Sequence, residues 1–159
     1  MKKLILILFL VVTVFAFGQN CNCTTAANSE NLKQTGRLKL LIKNNGKKSL
    51  KISKELIFCN MRLEKLEFYN ERTKAFQPAT IPKKDIDCFT YKNQGISLRA
   101  GQTYIYDVDI KSDFDVLQSN KFFEEANDKK YRFKLVFSVD SYDRCGESNT
   151  LITDWIYKN

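Results

Sequence analysis

The chain has 159 residues, a formal net charge of +8 at pH 7 and no histidine. Without histidine it cannot build a Ser-His-Asp triad, a Cys-His pair or a HExxH zinc site, and its six glycines are too scattered for a phosphate-binding loop. We therefore expect a protein that is not an enzyme and that holds no cofactor and no metal ion.

The N-terminus has the layout of an export signal. Two lysines follow the initiating methionine, residues 4–17 are almost wholly apolar, and Gly18 supplies a small residue at the expected cleavage point. The apolar run is shorter than the about 20 residues that a membrane-spanning helix needs. Cleavage between Gly18 and Gln19 leaves 159 − 18 = 141 residues with a charge of 8 − 2 = +6. We expect export to the periplasm or the medium, with an uncleaved anchor and lipidation at Cys21 as alternatives.

Residues 19–36 are interpreted as an N-terminal arm, and the first strand is predicted over residues 37–43. Apolar and cationic side chains alternate there, with the period of two that is typical of a half-buried strand. Asn44-Asn45-Gly46 follows, and Asn-Gly is a strong hairpin signal because both residues tolerate positive φ. Alternation resumes over residues 49–53, so the sequence predicts a β-hairpin here.

The middle of the chain gives weaker signals. A strand is predicted over residues 63–69, followed by the polar turn NERTK. Residues 76–81 contain Pro78 and precede Pro82, which suits an edge strand or a loop. Residues 86–91 form another short strand candidate.

Three later segments alternate clearly. After a turn at Gly101, the buried face of one strand is predicted to carry Tyr104, Tyr106, Val108 and Ile110, with Ile105, Asp107 and Asp109 facing outward. Residues 131–139 alternate in the same way. Residues 150–157 are predicted to close the domain, with Trp155 as the largest anchor.

The sequence indicates an all-β domain over residues 37–159. Residues 119–126 are the one stretch with a helical pattern, about two turns long. Many short strands separated by turn signals favour an antiparallel β-sandwich of about 7–8 strands with one short helix.

The five cysteines are the residues with the clearest chemistry. In an exported protein they predict disulfides. The expected topology favours Cys59 with Cys88, and Cys21 or Cys23 with Cys145, which leaves one N-terminal cysteine unpaired. A soft-metal or redox site at Cys21-Asn22-Cys23 is the alternative, disfavoured because the chain has no histidine and no CxxC spacing.

Four aspartates lie close together in sequence and could be imagined as a site for calcium or for carboxylate-based hydrolysis: Asp107, Asp109, Asp113 and Asp115. Simple alternation, however, places Asp107 and Asp109 on the outward face of a strand. No calcium-binding loop of the known spacing is present. We therefore predict a solvated strand face here.

The positive charge is spread along the chain and matches no nucleic-acid-binding motif. Surface lysines of this kind protect strands from edge-to-edge pairing. We expect no nucleic-acid partner, and unspecific attraction to an anionic cell surface is the alternative.

Several stretches resemble a known type of exported domain. LRAGQTYIYDVDI (98–110), FDVL (114–117) and KYRFKLVFS (130–138) carry the resemblance, and LKLLIKNNGKKSLKI (38–52) fits its first hairpin. The pattern resembles the Ig-like β-sandwich that precedes the catalytic domain of deuterolysin-type metallopeptidases, and small exported bacterial proteins that share this sandwich. The resemblance implies an Ig-like fold over about residues 37–157. It implies no catalytic residue, because no peptidase domain and no HExxH motif follow.

These observations favour a non-enzymatic exported binding module, whose partner is an envelope or extracellular protein or a surface glycan. Aromatic residues on connecting segments suggest Phe122, Phe123 and Tyr142 as an interaction surface. The alternative for the phenylalanines is that they close one end of the sandwich. A stoichiometric inhibitor of an exported peptidase, and a calcium-dependent or carboxylate-based hydrolytic module, are the competing functions.

Overall fold

The computed structural model describes residues 22–81, 85–92, 94–117, 122–139 and 150–158, so the export-signal segment lies outside the described residues. Ten β-strands carry most of this part of the chain. The strands are β1 (Cys23–Asn28), β2 (Arg37–Asn44), β3 (Leu50–Ser53), β4 (Met61–Asn70), β5 (Ala75–Pro78), β6 (Gly95–Leu98), β7 (Thr103–Asp109), β8 (Tyr131–Ser138), β9 (Thr150–Ile152) and β10 (Ile156–Lys158). The helices are α1 (Leu32–Thr35), α2 (Ile110–Leu117) and α3 (Phe122–Glu125).

The strands pair into three antiparallel sheets. The first has the spatial order β1-β2-β7, the second has the order β10-β8-β4-β5 with β9 also paired to β8, and β3 pairs with β6 in the third. A bridge between Ile52 and Val139 connects the third sheet to the end of β8. This arrangement confirms the expected antiparallel all-β sandwich, with ten strands in the described residues instead of about 7–8.

One hydrophobic core joins the inner faces of the two larger sheets. Successive residues of a strand point to opposite faces, so alternation in β2, β7 and β8 sends every second side chain inward. The core includes Leu38, Leu40, Ile42 and Val108 from the first sheet and Leu66, Phe133, Leu135 and Phe137 from the second. Full burial of one such side chain contributes about 1.5–3 kcal/mol relative to exposure, so these strands hold the domain together.

The strongest sequence patterns agree with the structure. β2, β7 and β8 bury the faces that alternation predicts. Gly101 has a φ of 76° in the turn before β7, a conformation that glycine adopts without steric cost. Pro78 ends β5, an edge strand with one unpaired side, where the missing N–H of proline does no harm.

The predicted hairpin at Asn44-Asn45-Gly46 is wrong, because the strands on either side belong to different sheets. A two-residue Asn-Gly hairpin turn needs positive φ at both central residues, and neither Asn45 nor Gly46 has it. The chain instead crosses between sheets around the fully buried side chain of Asn44. Its amide nitrogen donates to the carbonyl oxygens of Lys48 (2.8 Å) and Leu98 (3.0 Å), and its amide oxygen accepts the Gly46 N–H (2.9 Å).

Residues 86–91 do not form the predicted short strand. A turn closed by a hydrogen bond from the Tyr91 N–H to the Cys88 carbonyl (3.0 Å) takes its place. A disulfide between Cys59 and Cys88, whose Cα atoms are 5.6 Å apart, fastens this turn to the segment before β4. The predicted pairing of these two cysteines is thereby confirmed.

Alternation and turn signals do not predict β1, β6 or the helix α2. β1 lies in the segment interpreted as an arm and pairs antiparallel with β2 along its whole length.

α2 begins at Ile110, where alternation predicts that the strand continues. The Asp109 carboxylate accepts the Ser112 N–H at 3.0 Å, so it satisfies a donor of the first helical turn and starts the helix there. The helix predicted over residues 119–126 appears within the described residues as α3.

The last predicted strand, residues 150–157, is divided in two. β9 pairs with the end of β8 and β10 with its beginning, so both occupy the same edge of β8. At the break, Thr153 replaces the missing strand partner: its hydroxyl oxygen accepts the Leu135 N–H at 3.1 Å. Trp155, next in the break, is half-buried and is not the core anchor that the sequence predicts.

The disulfide gives a first testable prediction. Because Cys59 and Cys88 are 29 residues apart, replacing both by alanine releases a long loop in the unfolded chain. We expect the free energy of unfolding to fall by about 3–4 kcal/mol in the chain-entropy account, measured by urea denaturation of the protein without residues 1–18. Cys23→Ser is the control, since Cys23 is a free thiol. Equal denaturation midpoints for the double variant and the unchanged protein would contradict the prediction.

Candidate functional site

The aromatic surface proposed from the sequence is not exposed where the structure describes it. Phe122 is only 8% exposed, and its ring centroid lies 6.4 Å from that of Phe68 and 5.9 Å from that of Tyr131. This position fits the alternative, in which a phenylalanine closes one end of the sandwich. The side chain of Phe123 and the whole of Tyr142 lie outside the described residues.

The N-terminal cysteines are only partly described. Cys23 is a free, half-buried thiol, and burial raises its pKa. A raised pKa lowers the fraction of thiolate at neutral pH, and thiolate is the form that attacks disulfides and binds metals. Cys21 and Cys145 lie outside the described residues, so their disulfide stays a prediction.

Two of the aspartates considered as a site are engaged on the outer face of the first sheet. Asp107 lies 3.7 Å from the Lys39 ammonium, and Asp109 lies 3.3 Å from the Arg37 guanidinium. The side chain of Asp115 lies outside the described residues. Within the described ranges, no group of three or more Cys, Asp and Glu side chains is placed to hold a metal ion.

Asp113 differs from these, because its side chain is buried in α2. Burial raises the pKa of Asp113 to about 6, a hydrogen bond with the Phe58 backbone opposes that shift, and the nearby Asp109 carboxylate adds to it. Phe58 precedes the disulfide residue Cys59, so Asp113 connects α2 to the disulfide-linked segment. Among the side chains that the structure describes, no second unpaired acid lies beside it, and we assign it a structural role.

Cationic and aromatic side chains converge instead on the outer face of the second sheet. We call this surface the cation–aromatic face, and its residues are Glu67, Phe76, Arg132, Lys134, Trp155 and Tyr157. Strand register creates it: Arg132 of β8 lies directly opposite Glu67 of β4 on one side and Tyr157 of β10 on the other. Phe76 comes from the edge strand β5 and Trp155 from the break before β10.

Arg132 is the centre of this face. Its guanidinium carbon lies 4.4 Å from the ring centroid of Phe76 and 4.3 Å from that of Trp155, both within the range of a cation–π interaction. Its Nε and Nη2 atoms lie 2.7 Å and 2.6 Å from the same carboxylate oxygen of Glu67. Its Nη1 donates to the Tyr157 hydroxyl at 3.3 Å. The guanidinium therefore holds the surrounding rings in fixed positions.

Part of this face is open to solvent. Tyr157 is 39% exposed, and Ile152 of β9, which lies opposite Val136 on the same side of the sheet, is 51% exposed. The Lys134 ammonium lies 5.3 Å from the Trp155 ring centroid. Exposed rings and aliphatic groups next to cations form a surface that suits binding of a ligand with both apolar and anionic parts.

Two open cavities border the second sheet. One, of about 550 Å³, is lined by residues that include Ala27, Asn28, Lys33, Tyr157 and Lys158. The Lys158 ammonium donates to the carbonyl oxygens of Ala126 (3.1 Å), Asn127 and Lys129 (3.0 Å), so all its donors are used within the protein. The other cavity, of about 460 Å³, lies at the β4–β5 hairpin. Neither offers a buried charged group free to bind a ligand in the described residues.

Sequence reasoning missed the cation–aromatic face. The sequence contains one signal for it: the outward positions of β8 carry the cations Arg132 and Lys134, and the aromatic residues Trp155 and Tyr157 follow near the end of the chain. What brings them together with Phe76 and Glu67 is the pairing register of four strands, which has no local signature.

Asp113 gives a prediction for pH dependence. Because its folded pKa is raised from 3.8 to about 6, ionisation costs more in the folded state, and stability from this group is lost as pH rises from about 4 to 6. Asp113→Asn keeps a hydrogen-bond acceptor for the Phe58 segment and removes that cost. We expect it to raise the unfolding free energy by about 1–2 kcal/mol at pH 8 and by much less at pH 4, measured by urea denaturation.

The exposed Asp107→Asn is the matched control and should change stability by less than about 0.5 kcal/mol at both pH values. An Asp113→Asn effect of the same size at pH 4 and pH 8 would show that no buried carboxylate titrates there.

No helix in the described part of the chain has the length and apolar character needed to cross a membrane. Comparison of the chain with family models, with curated proteins and with solved structures finds no match. The resemblance to the sandwich domain of deuterolysin-type metallopeptidases therefore stays a prediction.

Proposed function

We propose that this protein is an exported, non-enzymatic binding module and that its ligand binds on the cation–aromatic face. Export is supported by the signal-type N-terminus and by the Cys59–Cys88 disulfide, a bond that is rare in reducing compartments. The chain has no histidine for acid–base chemistry. Binding to an envelope or extracellular component is the activity that such a surface supports.

The observation that carries this proposal is the arrangement of rings around Arg132. Phe76 and Trp155 lie against the guanidinium at 4.4 and 4.3 Å, and Tyr157 at 5.9 Å, all on the solvent side of a sheet. Apolar residues scattered singly over a surface need no explanation, whereas clustered ones mark interaction sites. Rings that are already held in place lose little side-chain entropy when a ligand binds.

The contacts around Arg132 contribute only modestly to the stability of the fold. A cation–π interaction at a partly exposed site contributes about 0.5–1 kcal/mol, and the Arg132–Glu67 ion pair, which is largely shielded from solvent, joins two strands without needing the rings. The burial of the inward side chains of β8 stabilises the sheet, and its outward positions could carry ordinary polar residues. Tyr157 and Ile152 are exposed beside these contacts and bury little apolar area within the protein, and their exposure favours a binding role.

A second candidate function, inhibition of an exported peptidase, is favoured by one observation. Phe89 is 95% exposed and follows the disulfide residue Cys88 at the tip of a turn. The Asp87 carboxylate accepts the Phe89 N–H at 2.9 Å, and the Asn60 amide donates to the Tyr91 hydroxyl at 3.0 Å. A projecting aromatic residue on a cross-linked turn is a shape that can enter the pocket of a partner protein.

Trp155 is the only tryptophan of the chain, so its emission reports directly on the cation–aromatic face. We expect the emission of the mature protein to change and saturate when solubilised envelope material of the source organism is added. Tyr157→Ala should weaken this binding at least tenfold, since its exposed ring is lost. Phe89→Ala is the matched control, an exposed aromatic residue on a different surface, and should leave binding unchanged.

The same pair of variants separates the two candidate functions. If the protein inhibits an exported peptidase, Phe89→Ala should reduce inhibition while Tyr157→Ala has no effect. Envelope binding that is equal in Tyr157→Ala and the unchanged protein would contradict the assignment to the cation–aromatic face.

A further inference from the structure

The cation–aromatic face continues into a row of cations that begins at Lys134, which lies over the Trp155 ring. Lys65 of β4 lies directly opposite Lys134 of β8, and Arg62 follows on the same side, opposite Val136. Like charges directly opposite on neighbouring strands are destabilising. None of these three cations forms an ion pair within the part of the chain that the structure describes.

Nearby acids do not neutralise this row. Glu67 is engaged by Arg132, with two guanidinium nitrogens within 2.7 Å of one of its carboxylate oxygens. Glu64 lies at the irregularity in the β4–β8 register between Leu63 and Lys65 and forms no ion pair among the described residues. The row therefore keeps a net positive charge, and an anion bound there would relieve the repulsion between the two lysines.

Apolar groups run beside the cations. Tyr157, Trp155 and Ile152 lie in succession along the edge formed by β10 and β9, while the cations occupy β8 and β4. Neighbouring strands are about 4.8 Å apart and outward residues of one strand are about 7 Å apart. A single extended ligand chain lying on this surface would therefore contact rings along one of its edges and cations along the other.

We infer that the ligand of the cation–aromatic face is an acidic polysaccharide, a glycan that carries carboxylate or sulfate groups. This inference rests on the proposed function and names its ligand class. The apolar faces of sugar rings pack against aromatic rings, and the anionic substituents would pair with Lys65, Lys134 and Arg62. An anionic lipid surface is the competing partner for such cations, and the vesicle experiment below distinguishes it.

The test uses soluble polygalacturonate as a carboxylated glycan, dextran sulfate as a sulfated one and neutral dextran as the uncharged control, with binding followed by calorimetry and Trp155 emission. We expect binding to one or both acidic glycans, weaker at higher salt, and no binding to dextran. Lys65→Ala with Lys134→Ala should weaken binding at least tenfold. Lys47→Ala with Lys48→Ala, which removes the same charge from exposed positions on another segment, should change it less than twofold.

A further variant separates loss of binding from loss of folding, because its substitution should not destabilise the protein. Lys65→Glu places a carboxylate opposite Lys134 and leaves the contact of Lys134 with Trp155 in place, so we expect the melting temperature to rise by about 1–3 °C while binding to the acidic glycan is lost. Retained binding in this variant would overturn the inference.

Two further probes distinguish other anionic partners. Equal binding to poly-glutamate, or binding to phosphatidylserine vesicles without binding to either acidic glycan, would also overturn it. If Tyr157→Ala abolishes binding to envelope material while no acidic glycan binds, the proposed function stands and this inference alone is wrong.

Discussion

The two-residue alternation of β8 is the constraint on which both the core and the candidate site depend. Its inward positions, Tyr131, Phe133, Leu135 and Phe137, are all buried in the core. Its outward positions include Arg132 and Lys134, the cations of the candidate site. β8 also lies between β4 on one side and β9 with β10 on the other. A shift of one residue in its register would expose the core and bury the cations, so the packing of the core also holds the candidate surface in place.

The Arg132–Glu67 ion pair connects the strands of the second sheet to the aromatic rings on its outer face. It joins adjacent strands, both side chains are largely shielded from solvent, and the guanidinium plane packs against aromatic rings from β5 and the β9–β10 break. Glu67 pairs with Arg132, and neither Lys134 nor the neighbouring Lys65 forms an ion pair among the described residues. One ion pair thus has two consequences: it orders the rings, and it leaves Lys65 and Lys134 without Glu67 as a partner.

The opposite end of the fold is stabilised by different means. The Cys59–Cys88 disulfide, the buried Asp113 and the bridging side chain of Asn60 tie irregular segments to the sandwich. These segments lack the ladder of backbone hydrogen bonds that supports the strands, so side-chain and covalent links replace it. They also present Phe89, which makes this end a separate surface from the cation–aromatic face.

The sequence by itself determined the elements whose signal is local. The alternation of β2, β7 and β8, the edge position of Pro78, the turn at Gly101 and an antiparallel all-β class all follow from the period of two and from backbone preferences. The Cys59–Cys88 pairing followed from the expected topology. Tertiary structure decided what depends on distant partners: the crossing at Asn44, whose side chain bonds to Leu98, the helix α2, and the burial of Phe122. It also decided the candidate site, because Glu67, Phe76, Arg132 and Tyr157 meet only through the register of separate strands, and cross-strand register is a long-range property that no short stretch of sequence encodes.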